Sequence, residues 1–227
     1  MLAVILSAAP AAAVLVPSDA QASVSIAVGF DALVKDADSV GVALPVESKS
    51  VWEDGRIYTY TRVKIDQGVA GELGTGAEGW VRTMGGVVGK IGQMVDGEPV
   101  LTTGKASLLF LRKLKAGGIW EVSARAQGQY PIQVDDTLKL RKVMRSAAVG
   151  VLFPPRAAAT ASVESAGGVS TATQGVGGSA QTVTEPVKTI RLAGEALHDR
   201  SLDEVAREIA TSWKRLHPAV APSDAKK

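Results

Sequence analysis

The stretch that decides the fold is Val51-Trp-Glu-Asp-Gly-Arg-Ile-Tyr-Thr-Tyr-Thr-Arg-Val-Lys-Ile65. Its Asp54-Gly55 pair favours a type I′ turn, because glycine accepts a positive φ and aspartate tolerates one. After the turn the side chains alternate between two faces, which is typical of a half-buried strand. One face carries Ile57, Thr59, Thr61, Val63 and Ile65, and the other carries Arg56, Tyr58, Tyr60, Arg62 and Lys64. The stretch therefore predicts a β-hairpin.

More strand signals lie on both sides of this hairpin. Residues 40–46 alternate between apolar and other side chains, and Pro45 within them predicts an edge position or a bulge. The apolar run Ser107-Leu-Leu-Phe-Leu111 predicts a strand that is covered on both faces. Further short strands are predicted over 80–84, 119–122 and 129–134. The glycine-rich segments 67–79 and 85–105 predict a long turn and a broad surface loop.

The two ends of the domain carry helical patterns. Apolar spacing predicts a short helix over Phe30–Asp38. The capping box Ser201-Leu-Asp-Glu204 begins an amphipathic helix over Leu202–Leu216, whose apolar stripe needs the β domain to cover it. Ile190 and Leu192 favour a strand just before it. These elements predict a mainly β fold, a small antiparallel barrel or sandwich with a short N-terminal and an amphipathic C-terminal helix.

The composition divides the chain into segments. In 156–186, 27 of the 31 residues are Ala, Gly, Ser, Thr, Val or Gln, and none is Leu, Ile, Met or aromatic. So little apolar area does not offset the entropy of ordering the chain, which predicts a flexible insertion. Residues 23–155 are then the barrel-like domain, 187–217 a strand and helix that pack back on it, and 218–227 a disordered tail.

The first 22 residues predict a signal peptide. Met1–Val16 is almost wholly apolar but short for a bilayer span, and Ala20-Gln-Ala22 is a small-x-small cleavage pattern. No Lys or Arg follows Met1, so the true start is either further upstream or the α-amino group supplies the positive charge. A core helix and a retained membrane anchor are the alternatives. The prediction is export to the periplasm or the medium, with no stable membrane span after cleavage.

Composition also limits the chemistry. The chain has no Cys or Asn, only His198 and His217, and a net charge of +2. Thiolate chemistry, disulfides and zinc–thiolate sites are excluded, and a broad attraction to nucleic acid is not expected. Residues 74–79 match G-x-G-x-x-G, but a strand follows where a dinucleotide site needs a helix. Glu195, His198 and Asp199 have no metal-ligand spacing. We therefore predict neither cofactor nor metal, and no enzyme activity.

One strand face remains as a candidate binding site. Tyr58, Tyr60, Arg62 and Lys64 combine aromatic and basic side chains, as small barrels do where they bind single-stranded nucleic acid. The alternative is an exposed face on which arginine and lysine stems cover the tyrosine rings. Export and near-neutral charge favour the alternative, so we predict no nucleic-acid partner. A second basic cluster, at Lys139, Arg141, Lys142 and Arg145, is predicted to be solvated.

Several of these segments resemble a poorly characterised family of secreted bacterial proteins. The likeness rests on Asp31–Val40, Trp52–Thr59, Gly85–Gly89, Gly104-Lys105 and Leu108–Leu111, and covers about residues 30–135. It implies a small netrin-like or OB-like barrel, and it names no catalytic residue. The chain departs from the family at Ala43, Leu44 and the 156–186 insertion. The resulting hypothesis is an exported non-enzymatic module with an exported protein partner; a protease-inhibitor-like module and a hydrolase are the alternatives.

Overall fold

The computed structural model describes residues 25–115, 118–135, 137, 139–155 and 190–218. The strands are β1 (Ser25–Ile26), β2 (Ser39–Glu53), β3 (Arg56–Gly71), β4 (Glu78–Met84), β5 (Gly86–Val88), β6 (Ile91–Gln93), β7 (Ser107–Lys113), β8 (Trp120–Val122), β9 (Gln129–Val134), β10 (Arg141–Val143), β11 (Leu152–Phe153) and β12 (Arg200–Ser201). The α-helices are α1 (Phe30–Asp36), α2 (Ala193–Leu197) and α3 (Leu202–Leu216). The predicted signal peptide (1–22), the predicted insertion (156–186) and residues 219–227 lie outside the described residues.

Five strands close into a barrel. β2 pairs antiparallel with β3 and with β7, and β3 pairs antiparallel with β4. β8 closes the ring, because it pairs in parallel with β4 and antiparallel with β7. This is a small closed β-barrel, so the predicted mainly β barrel fold is confirmed. Beyond β7, the strands β9, β10 and β12 extend the sheet away from the barrel.

The central hairpin forms as the sequence predicts. Asp54 and Gly55 have φ angles of 49° and 75°, the two positive values that a type I′ turn requires. Ile57, Val63 and Ile65 on β3 are buried inside the barrel wall. Pro45 lies at a shift in the β2–β3 register and beyond the part of β2 that pairs with β7, so the predicted bulge is confirmed.

Strand β7 is buried on both faces. Leu109 and Leu111 point into the barrel and pack in the barrel core, which also contains Ala43, Val63, Ile65, Val81, Trp120 and Val122. Leu108 and Phe110 point outward and pack beneath the helices. We call this second cluster the outer core; it includes Leu33, Val34, Tyr130, Leu197, Val205 and Ile209. The predicted two-sided coverage of this strand is therefore confirmed.

Helix α3 closes the outer core and has the predicted bounds. The Ser201 hydroxyl accepts a hydrogen bond from the backbone N–H of Glu204 at 3.3 Å, which caps the first turn. At the other end, Arg215 donates to Asp31 on α1 at 2.8 Å. Helix α1 ends two residues earlier than predicted. In the part of the chain that the structure describes, no helix is both long and apolar enough to span a membrane.

The glycine-rich segments differ from the prediction. β3 continues to Gly71, so the predicted long turn shrinks to residues 72–77. The predicted loop at 85–105 contains the β5–β6 hairpin. Glycine is needed here for close approach: a Cβ on Gly71 would overlap the carbonyl oxygen of Asp38, and one on Gly86 would overlap the hydroxyls of Ser50 and Thr59. Composition alone does not separate this role from a flexible turn.

One prediction for the C-terminal half also needs correction. The predicted strand at 190–192 is a single bridge between Leu192 and Gly29, because the short helix α2 begins at the next residue. The basic cluster predicted to be solvated is largely exposed, at Lys139, Arg141 and Arg145, although part of it also forms strand β10, which pairs with β9 and β12. Its Lys142 forms an ion pair with Asp199 at 3.2 Å. One partner, β9, is adjacent in sequence, whereas the other, β12, is distant, and the local pattern does not reveal that second pairing.

Replacing Gly71 by alanine is expected to destabilise the fold. Gly71 has a φ of 87°, and its side-chain position is occupied by the backbone of residue 38, so Gly71→Ala should cost more than about 2 kcal/mol. Gly74→Ala is the matched control, because nothing lies within 4 Å of its added Cβ. Urea unfolding of both variants tests this prediction. Equal unfolding midpoints for the two variants would contradict the steric overlap at residue 71.

A second prediction concerns Glu208 on α3, which pairs with Arg191 and Arg200. The hydrogen bond from Arg191 is the main cause that lowers the pKa of Glu208, with Arg200 acting in the same direction against partial burial. A lowered folded pKa adds stability above the unfolded value, about 4.3, and this stability is lost as the pH falls through the folded value. Glu208→Gln should therefore be less stable than the parent by about 1–2 kcal/mol at neutral pH, with a smaller difference in acid.

Urea unfolding at about pH 7 and pH 2.5 measures this difference, the lower pH lying well below the ordinary pKa of glutamate. Asp66→Asn, which removes an exposed carboxylate from β3, controls for the loss of one charge. If Glu208→Gln and the parent differ in stability by the same amount at both pH values, the Glu208 ion pairs are not the cause of the loss of stability in acid.

Candidate functional site

The predicted face of β3 lies on the outside of the barrel. Tyr58, Tyr60 and Arg62 are half-buried there, and Lys64 is exposed. The β3–β4 register places these four residues beside Met84, Arg82, Trp80 and Glu78, in that order. Neighbouring strands therefore determine what each predicted side chain contacts.

Arg62 is neutralised by carboxylates on both sides. It donates to Glu78 on β4 at 2.8 Å and to Glu47 on β2 at 3.1 Å. The hydrogen bond to Glu47, followed by that to Glu78, raises the pKa of Arg62 above its ordinary value. Because two acids surround one guanidinium, this part of the face offers no excess positive charge to a phosphate backbone.

The two tyrosines are held by polar neighbours. The Tyr60 hydroxyl donates to Glu53 at 2.8 Å, and burial together with this bond raises the pKa of Tyr60. The guanidinium carbon of Arg82 lies 4.7 Å from the centre of the Tyr58 ring, within cation–π distance. The tyrosine ring is thus covered by an arginine, the alternative that the sequence left open, but the arginine comes from β4 rather than from β3.

Arg82 contacts this face of β3 and also lines a cleft next to it. Its Nε and Nη2 donate to Glu121 on β8 at 3.3 and 2.7 Å. Burial on its own lowers the pKa of Arg82, but the hydrogen bonds to Glu121 and Tyr60 outweigh burial, and the net pKa is raised. A cleft of about 540 Å³ opens beside this pair, between α1 and the barrel, and Tyr58 lines it. Among the four predicted residues, only Tyr58 reaches the cleft.

The cleft contains three arginines and three carboxylates. These are Arg82, Arg112, Arg125, Asp36, Glu98 and Glu121. Arg112 lies 3.6 Å from Glu121 and 3.6 Å from Asp36, so it bridges the barrel and α1. Arg125 Nε lies 3.0 Å from a Glu98 oxygen, and the other Glu98 oxygen accepts from the backbone N–H of Met84 at 3.1 Å. Each arginine of the cleft is thus paired with at least one of its carboxylates.

The wall beside Arg125 has an unusual backbone. Ala124 and Arg125 have consecutive φ angles of 54° and 55°. Non-glycine residues in the left-handed region store about 1–3 kcal/mol each and concentrate at functional sites. This conformation places both residues in the wall of the cleft.

Apart from Thr83, the remaining walls of the cleft are apolar. They are formed by Val28, Ala32, Leu33, Met84, Pro99 and Val122. The volume lies within the roughly 300–1,000 Å³ typical of ligand sites, and such sites usually combine apolar walls with a few placed polar groups. The cleft is therefore the best candidate site among the described residues.

A second groove, of about 800 Å³, lies between α1, α3 and Arg191. It is lined by Pro155 and Ile190, the two residues between which the chain passes outside the described residues. None of the residues that line the 540 Å³ cleft adjoins that segment in the chain, so the cleft is the better-defined cavity.

Sequence reasoning missed the arginines of the cleft. Arg82 alternates with Trp80 on a predicted strand, so pairing that strand with β3 would have placed it beside Tyr60. Arg112 and Arg125 give no such signal, because only barrel closure brings them to α1.

The rejected motifs stay outside this site. Residues 74–79 run into strand β4, which begins at Glu78. His198 Nδ1 accepts from the backbone N–H of Arg145 at 3.1 Å, and the His217 ring stacks on Trp213 with 3.9 Å between centroids. In the described ranges, no three His, Cys, Asp or Glu side chains are grouped to hold a metal ion.

Comparison with known proteins adds no assignment: no family model, curated protein or solved structure matches this chain. The resemblance to secreted netrin-like proteins accordingly stays a prediction from the quoted motifs.

The face of β3 is expected not to bind single-stranded nucleic acid. Replacing Tyr58 and Tyr60 together by alanine should therefore leave any affinity of the chain for a single-stranded oligonucleotide unchanged to within about twofold, because the adjacent arginines are paired with carboxylates. Fluorescence anisotropy at about 50 and 200 mM salt measures this. Salt-sensitive binding that the double substitution abolishes would reverse the interpretation.

Proposed function

We propose that this chain is an exported, non-enzymatic module that binds a protein partner in the cleft between α1 and the barrel. The observation that carries the proposal is the cleft itself, where Tyr58, Arg112 and Arg125 stand beside apolar walls. Tyrosine and arginine are enriched among the residues that dominate protein interfaces. Export rests on the signal-like pattern of residues 1–22 and is part of the same proposal.

The construction of the cleft supports binding without large rearrangement. Its Arg82–Glu121 pair is more than half buried, and Glu98 is anchored to both Arg125 and the backbone of Met84. A surface that is already ordered loses less conformational entropy when a partner binds. The cleft therefore suits a recognition role.

The hydrolase alternative finds less support in the arrangement of the side chains. Catalytic proton transfer most often uses histidine near neutral pH. The two histidines of the chain, His198 and His217, do not line the cleft; one contacts the backbone of Arg145 and the other stacks on Trp213. We therefore favour the binding module over the enzyme.

Blocking the cleft is expected to prevent binding of the partner. Ala32 is exposed and lines the cleft, so Ala32→Trp should fill the cleft without removing an ion pair. The tagged full-length chain, captured after cross-linking in cells that produce it, should yield a defined partner. Ala32→Trp should lower the yield at least about tenfold, equivalent to 1.4 kcal/mol of binding free energy.

Two controls make this result specific. Lys35→Trp introduces the same side chain on the same helix, outside the cleft, and should leave recovery unchanged. Because Ala32 also lines the larger groove, Ile190→Trp, which is confined to that groove, should leave recovery unchanged as well. Recovery of the same partner by Ala32→Trp, or turnover of a hydrolase substrate that Ala32→Trp abolishes, would refute the proposal.

A further inference from the structure

We infer that the cleft takes a carboxylate carried by an extended peptide segment of the partner, held by Arg112 and Arg125. The inference rests on the proposed function and adds the chemistry of the ligand. Both arginines line the cleft, one from the end of β7 and the other from the strained turn after β8.

The two arginines have donors to spare. Arg112 is 49% exposed at its side chain, and both of its ion pairs, at 3.6 Å, are longer than hydrogen bonds. Arg125 is 53% exposed, and its ion pair to Glu98 uses Nε. A guanidinium carries five N–H donors in a fork that matches the two oxygens of a carboxylate. A ligand carboxylate would therefore gain hydrogen bonds that the present partners do not make.

Two of the three acids of the cleft lie deeper than these arginines. Glu98 is 13% exposed and Glu121 is 26% exposed, and each is already bonded by a donor nearer than 3.2 Å. The charged groups that face solvent are therefore two arginines, Arg112 and Arg125, and one carboxylate, that of Asp36. The mouth of the cleft is therefore positive, although the cleft as a whole contains equal numbers of acids and bases.

The surroundings of the arginines favour a peptide over a bare ion. Apolar walls from α1 and from Met84, Pro99 and Val122 give an aliphatic chain a surface to pack on. β8 pairs with β4 only at Val81 and Arg82, so the edge of β4 next to the cleft is not covered by a strand. The backbone N–H of Met84 is already accepted by the Glu98 carboxylate at 3.1 Å, so the arginines and the apolar walls, rather than pairing with β4 at Met84, would hold the peptide.

Peptide titration of the full-length chain tests the inference. The probes are acetyl-Ala-Ala-Glu-Ala-Ala-amide, acetyl-pentaalanine with a free C-terminus, the neutral Gln analogue of the first, and acetate. Nitrogen-15 spectra of the arginine Nε–H groups report contact at Arg112 and Arg125 directly. The first two probes separate a side-chain carboxylate from a chain terminus as the source of the charge.

At least one carboxylate peptide is expected to bind at least about tenfold more tightly than the neutral analogue and than acetate, and to shift both arginine signals. Arg112→Gln and Arg125→Gln should each weaken this binding at least about fivefold, and high salt should weaken it too. Arg56→Gln, on the exposed hairpin away from the cleft, is the matched control and should bind as the parent does.

The outcomes separate this inference from the proposed function. The inference is overturned if the neutral peptide or acetate binds as tightly as the carboxylate peptides. It is also overturned if neither carboxylate peptide shifts the Nε–H signals of Arg112 and Arg125. If Ala32→Trp still abolishes partner capture in that case, the binding module stands with a ligand of different chemistry. If Ala32→Trp leaves capture unchanged while the peptides bind through the arginines, the cleft binds carboxylates but the partner proposal fails.

Discussion

The two-sided burial of β7 is the constraint on which the rest of the structure depends. A barrel strand normally leaves its outer face to solvent, but Leu108 and Phe110 point away from the barrel and are fully buried. Burial of each such side chain contributes about 1.5–3 kcal/mol, and without the helices both would be exposed to water. The barrel and the helices are therefore one folding unit.

The cleft is a consequence of that packing. Once Leu33 and Val34 hold α1 over β7, the helix lies beside the short strand that closes the barrel. Two hydrogen bonds hold the chain that follows α1 against β7. The Asp38 carboxylate accepts from the backbone N–H of Lys113 at 2.8 Å, and the backbone N–H of Asp38 donates to the carbonyl of Leu111 at 2.8 Å. The cleft lies between this helix and the barrel, and charged side chains from both line it.

Charge pairing gives the outer face of β3 and the cleft different electrostatic properties. Along β3 the guanidinium of Arg62 is enclosed by carboxylates from both neighbouring strands, which is why an aromatic and basic face need not attract polyanions. In the cleft the pairing is uneven, since the bonded carboxylates are recessed and two arginines are half exposed. The distinction is one of depth rather than of net charge, so composition does not show it.

The sequence by itself determined the elements whose signals are local. The Asp54-Gly55 turn, the apolar run of β7 and the capped helix α3 each follow from a few adjacent residues, because turn preference, a continuous apolar run and a capping box are all local patterns. It did not separate glycines needed for close approach, such as Gly71 and Gly86, from glycines of flexible turns. Only the tertiary structure decided which strands close the barrel, and with it the meeting of Arg82, Arg112 and Arg125 around α1. Those residues come from three separate segments, and the free energy that brings them together is the burial of the two cores rather than any preference of their own.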